Sequence, residues 1–216
     1  MFGLTMSSGN IVQQVKTWLA SERLIVKEQN DERAEAHFLI KYPHGPQGHM
    51  FAVVIPKGRD LVACSSMTRV DLGQQEEMKR HMQEDENEWN EWVHDSRLQL
   101  INTSVDWGMH MGHVGDEKPG PLQAFNVSLP IWFDGLTKNE LMQTLRRLWL
   151  AKLGVIHEIK YAYGPGSGKS GPVDDWADRL KSQSKKDNNQ LDYEAQEIEF
   201  NDEMSFGSGF DPSEWA

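Results

Sequence analysis

Residues 131–159, IWFDGLTKNELMQTLRRLWLAKLGVIHEI, limit what this chain can fold into more than any other stretch. Asp134-Gly135 supplies a turn, because Gly accepts a positive φ at little cost and Asp bonds nearby backbone. Thr137 stands three residues before Glu140, the capping-box spacing in which two side chains satisfy otherwise orphaned backbone donors. Beyond it Leu141, Met142, Leu145, Leu148, Trp149 and Leu153 recur at helical spacing and form an apolar stripe that needs a core to face. Arg146, Arg147 and Lys152 lie off most of that stripe. From Leu153 to Ile156 the chain is nearly apolar all round, so the last turn is expected to be buried.

Upstream of that unit, Asn10 can cap a first helix of about twelve residues with Ile11, Val15, Trp18 and Leu19 on one face. Three strand candidates follow at 24–27, 36–42 and 49–55. The second sets Phe38, Ile40 and Tyr42 against His37, Leu39 and Lys41, and the third is more uniformly apolar, as a central strand would be. The PHGPQG link between them reads as a hairpin loop, and Pro56-Lys57-Gly58 turns into a further strand at 61–64. Asp71 can cap a second helical region that runs toward Leu100 through Met78, Met82, Trp89, Trp92 and Val93, with the acidic run 84–88 as a potential break. Two more strands, 104–111 and 122–132, precede the long helix. The order is helix, three or four strands, helix, two strands, long helix, which is an α+β fold with an antiparallel sheet.

Composition limits the function classes. A length of 216 residues, 38% hydrophobic content and eight Trp suffice for a core. No apolar run approaches the length of a bilayer span, so a cytoplasmic location is expected, and the single cysteine, Cys64, agrees with a reducing compartment. Residues 164–216 carry 12 acidic against 5 basic side chains, −7 of the chain's −11. Phosphate backbones repel such a chain, so a nucleic-acid partner is not expected, nor is a membrane.

After Tyr163 the character changes. GPGSGKSGP is a linker by composition, and the acidic end carries Phe200, Phe206, Phe210 and Trp215; such a mix is more commonly a simple unstructured tail, and otherwise a segment that docks onto a partner. This divides the chain into a domain over 1–163 and a flexible acidic tail over 164–216. The Gly-Lys-Ser in the linker invites a phosphate-loop reading. That loop needs a Gly five positions before Gly168, with four residues between them, where Tyr163 stands instead, and Gly171-Pro172 stands where its helix should start.

Chemistry-bearing residues are scattered. His110 and His113 near a strand end suggest a metal, but their spacing points them to opposite strand faces, and Asp106 brings His110's face to two ligands at most. Cys64 reads as a small core residue first and a nucleophile second. The acidic cluster from Glu84 to Glu91 lacks the calcium-loop pattern. No cofactor is implied.

The segments VKTWLASERL, FAVVIPKG and IWFDGLTKNELMQTLRRLWLAKLGVI together resemble an uncharacterised archaeal family with a type III secretion chaperone-like fold, over residues 10–160. The resemblance implies a domain that pairs into homodimers and binds protein segments, and it defines no catalytic residues. The expected function is therefore a non-enzymatic protein-binding module, its partner a protein or its own tail. The alternative is a small-molecule enzyme with a pocket near His110, Asp106 or Cys64.

Overall fold

The computed structural model describes residues 8–114 and 118–173. Helix α1 (Ser8–Ser21) leads into strands β1 (Ile25–Gln29), β2 (Ala34–Tyr42), β3 (His49–Pro56) and β4 (Leu61–Arg69). Helices α2 (Leu72–Glu84) and α3 (Glu86–Asn102) follow, then β5 (Asp106–Val114), β6 (Lys118–Trp132) and α4 (Lys138–Tyr163). The six strands form one antiparallel sheet in the order β1-β2-β3-β4-β6-β5, so the fold is α+β. In register, Phe38 faces Val53 and Ile40 faces Phe51 across β2 and β3. Four consecutive residues, His37 to Ile40, are buried, so β2 is covered on both faces.

By its internal contacts the chain divides into two units. One comprises residues 1–66, 100–107 and 127–154; the other comprises 67–99, 108–126 and 155–216. In the first, Ile11, Val15 and Leu19 of α1 are buried, as are Leu141, Leu145 and Leu148 of α4. Helix α1 stops at Arg23, which takes a left-handed φ of 58° while Leu24 N–H donates to Leu19 O. In the second, Met78, Phe125, Val155 and Ile159 are buried.

Asp85 breaks the second helical region in two. Its extended backbone (φ −146°, ψ 96°) ends α2, its own N–H donates to His81 O, and its carboxylate accepts from Asn87 N–H and Glu88 N–H to start α3. One residue thus closes one helix with its backbone and opens the next with its side chain. At α4, Thr137 Oγ1 accepts from Glu140 N–H at 3.0 Å, the expected cap. The return half of the box is not made: Glu140 turns along the helix to accept from Arg147 at 2.7 Å. Thr137→Ala should therefore cost the single cap, about 1 kcal/mol, read as a lower urea midpoint at unchanged slope.

Candidate functional site

In the second unit the segment 164–172 folds back onto the start of α2. Asp71, 1% exposed, is the organising residue. Its Oδ1 accepts from Gly73 N–H (2.7 Å), Ser167 N–H (2.6 Å) and Ser167 Oγ (3.0 Å), and its Oδ2 accepts from Lys169 N–H (2.8 Å). Burial pushes the carboxyl pKa up, but the bonds from Ser167, Gly73 and Lys169 together outweigh it and hold the group below its ordinary value.

Main-chain bonds continue the contact. Leu72 N–H donates to Lys169 O at 2.8 Å and Gly171 N–H donates to Val70 O at 3.0 Å, so Asp71 and Ser170 form an antiparallel bridge. Gln74 Nε2 donates to Gly164 O at 2.7 Å, and Gln75 Nε2 reaches Pro172 O at 3.1 Å. Two glycines are needed here. Gly166 has φ +86° and a Cβ on it would stand 2.7 Å from Asp71 Cγ; a Cβ on Gly171 would collide with Gln75 Nε2. The result is a slot, lined by Val70, Asp71, Gln74 and Gln75, that holds a peptide strap largely through its backbone.

The strap is the Gly-Lys-Ser stretch. The amides of Ser167 and Lys169, which a phosphate loop would turn on a nucleotide, are spent on the Asp71 carboxylate. Residues placed with the tail by composition are therefore pinned by a residue 93 positions upstream of Gly164.

The first unit carries a buried amine. Lys152 is 7% exposed; its Nζ donates to Ser66 Oγ at 2.9 Å and lies 5.5 Å from the centre of the Phe51 ring. Ser66 Oγ in turn donates to Met50 O at 2.7 Å. Burial drives the Lys152 pKa down to about 7. This corrects its expected place off the stripe: four residues beyond Leu148, it lies on the stripe's buried continuation.

The other candidates fall as follows. Cys64 is fully buried and its thiol is pushed up to about 12 by burial, so it forms no thiolate near neutrality. His110 Nε2 lies 3.2 Å from Asn126 Oδ1. The side chain of His113 lies outside the described residues, as do Phe200, Phe206, Phe210 and Trp215. Among the described residues no three His, Cys, Asp or Glu side chains converge as a metal group. Nor is any described helix long and apolar enough to cross a membrane. Asp71 was legible only as a cap, while Gln74, Gln75 and Lys152 gave no signal as site residues.

The profile of the family of uncharacterized conserved proteins DUF2299 matches residues 11–159. The chain belongs to this family. Its strap, beginning at Gly164, lies beyond the matched residues. An uncharacterized protein from Methanothermobacter thermautotrophicus has a crystal structure similar to this one, with TM-score 0.61 and 25% identity over 70% of this chain and 98% of that one. YbjN from E. coli gives a TM-score of 0.35 at 10% identity, over 66% of this chain and 89% of that one. A search of curated proteins gives no match.

Proposed function

We propose that this chain is a non-enzymatic, chaperone-like module of the cytoplasm, homodimeric, that binds an extended protein segment. The observation that carries this reading is the Asp71 slot. Its surface takes a nine-residue stretch of peptide, 164–172, by backbone pairing, with one carboxylate and two amide side chains supplying the remaining bonds. Recognition of this kind is strand addition in its shortest form: main-chain bonds hold the peptide, and a few side chains select it. The slot needs no reactive group, and its one carboxylate is saturated by donors.

A peptide of residues 164–172, labelled and titrated into the full chain, tests the reading. The slot is first vacated by Gly166→Val, which strains the strap at a positive φ and drives a side chain at Asp71. Saturable binding to that variant, absent from the natural chain and lost when Asp71→Ala is added, is the expected result. A vacated slot that takes up no peptide at any concentration sinks the reading.

A further inference from the structure

The C-terminal end of α4 brings a tyrosine, a histidine and two tryptophans together in the second unit. Tyr163 is 9% exposed, and its Oη lies 2.9 Å from His81 Nδ1. The other ring nitrogen, Nε2, faces the Glu88 carboxylate at 3.5 Å. Among the described residues Nε2 makes no hydrogen bond and meets Glu88 only at ion-pair distance; with the single ring proton on Nε2, Nδ1 keeps a lone pair, so Tyr163 donates and His81 accepts. The Trp92 ring meets the Tyr163 ring edge-on at 5.0 Å, and Trp89 lies 6.5 Å from Tyr163. The two indoles stack at 5.2 Å and 21°. Trp89 is buried and Trp92 half-buried, so the indole pair connects the tyrosine to the surface of its unit.

Most tyrosine–histidine contacts do no more than satisfy two polar groups. Three features here go beyond that. The histidine presents a base to the phenol, a carboxylate stands ready to receive the charge it would gain, and easily oxidised rings abut the phenol. Burial, and after it the charges of Glu158 and Glu88, push the phenol pKa up, so the group stays protonated near neutrality. In that setting the phenol cannot lose an electron without passing its proton to a base already in contact, because a charged phenol radical is costly to bury.

We propose that Tyr163 is a site of proton-coupled one-electron oxidation, with His81 as its proton acceptor and the Trp89–Trp92 pair as the path the electron takes. A radical oxidant of the class that oxidises indoles takes one electron from the pair and is itself reduced by one. The indole radical cation then takes one electron from Tyr163. The phenol O–H breaks, and the proton passes along the existing bond to His81 Nδ1. The products are a restored indole, a neutral phenoxyl radical and an imidazolium facing Glu88. A thiol-class reductant returns the electron, and His81 returns the proton. This activity is independent of segment binding.

Pulse radiolysis of the full chain in azide solution, with azidyl radical as oxidant, is the test. The indole-radical absorption should decay as a phenoxyl absorption grows, and this phase should slow in deuterated water. Tyr163→Phe should remove the isotope-sensitive phase, while Tyr161→Phe, altering a side chain 91% exposed, should leave it intact. His81→Gln keeps an acceptor oxygen but no base, and should slow the phase by about ten-fold or more. Absence of the phase from the natural chain overturns the proposal, as does its survival in Tyr163→Phe. A rate indifferent to both His81→Gln and deuterium removes His81 from it. The deuterium comparison uses the natural chain, so the result does not depend on any variant folding.

Discussion

Asp71→Ala is expected to release residues 164–172 and to lower stability by about 2–4 kcal/mol, since it removes a helix cap and three further charge-assisted bonds at one stroke. The figure is less than the sum of separate bonds because the strap is exposed from Pro165 to Ser170 and its freed amides can turn to water. Hydrogen exchange gives the local reading. The amides of Gly73, Ser167 and Lys169 donate to Asp71, so all three should lose protection together, while Val53 and Leu145 in the other unit keep theirs. Protection unchanged at Ser167 and Lys169 would mean that the backbone bridge alone holds the strap.

Asp71→Asn separates shape from charge. An oxygen in the Oδ1 place still accepts from Gly73 and Ser167, but an amide nitrogen then meets Lys169 N–H, donor against donor. Stability should fall to a value between those of the natural chain and the Ala variant. The same carboxylate sets an acid limit. Its folded pKa lies below the ordinary 3.8, so its contribution is present above that value and is lost as pH falls through the lower, folded one. The Ala variant should lack this part of the acid transition.

The slot also marks where sequence reading ends. Thr137 and the stripe from Leu141 to Leu148 announce α4 because capping and periodicity act within one or two turns. The break at Asp85 was foreshadowed by the acidic run around it, again a local signal. The strap is different. Gly164, Gly166 and Gly168 all take positive φ, and composition reads such a run as a linker. Only the fold shows that these same glycines turn the alternate amides of Ser167 and Lys169 onto a carboxylate far upstream. Lys152 escaped for a related reason. A charged residue five positions after a pair of arginines reads as solvent-facing with them, yet the helix geometry that buries Leu148 also buries the position four residues on. Tyr163 and His81 lie 82 residues apart, and neither sits in a pattern that would join them.

Lys152→Met should stabilise the protein by about 3–5 kcal/mol at neutral pH, raising Tm by about 10 °C. Among the described residues the amine has a serine hydroxyl and an aromatic ring for company and no carboxylate, so the cost of its charge stands uncompensated. Met fills a similar volume, keeps the helix, and leaves Ser66 still bonded to Met50 O. The sign with pH follows from the depressed pKa. Between about 7 and 10.5 the unfolded chain binds a proton that the folded chain does not, so stability of the natural protein rises with pH across that window. At and below about 7 the full cost is present. The Met variant should show no such rise, and the two stability curves should converge toward pH 10.5. Urea unfolding followed across that range decides the matter: parallel curves would mean that Lys152 finds water or a counter-charge in the folded protein, and a less stable Met variant would mean that its hydrogen bond to Ser66 outweighs its burial.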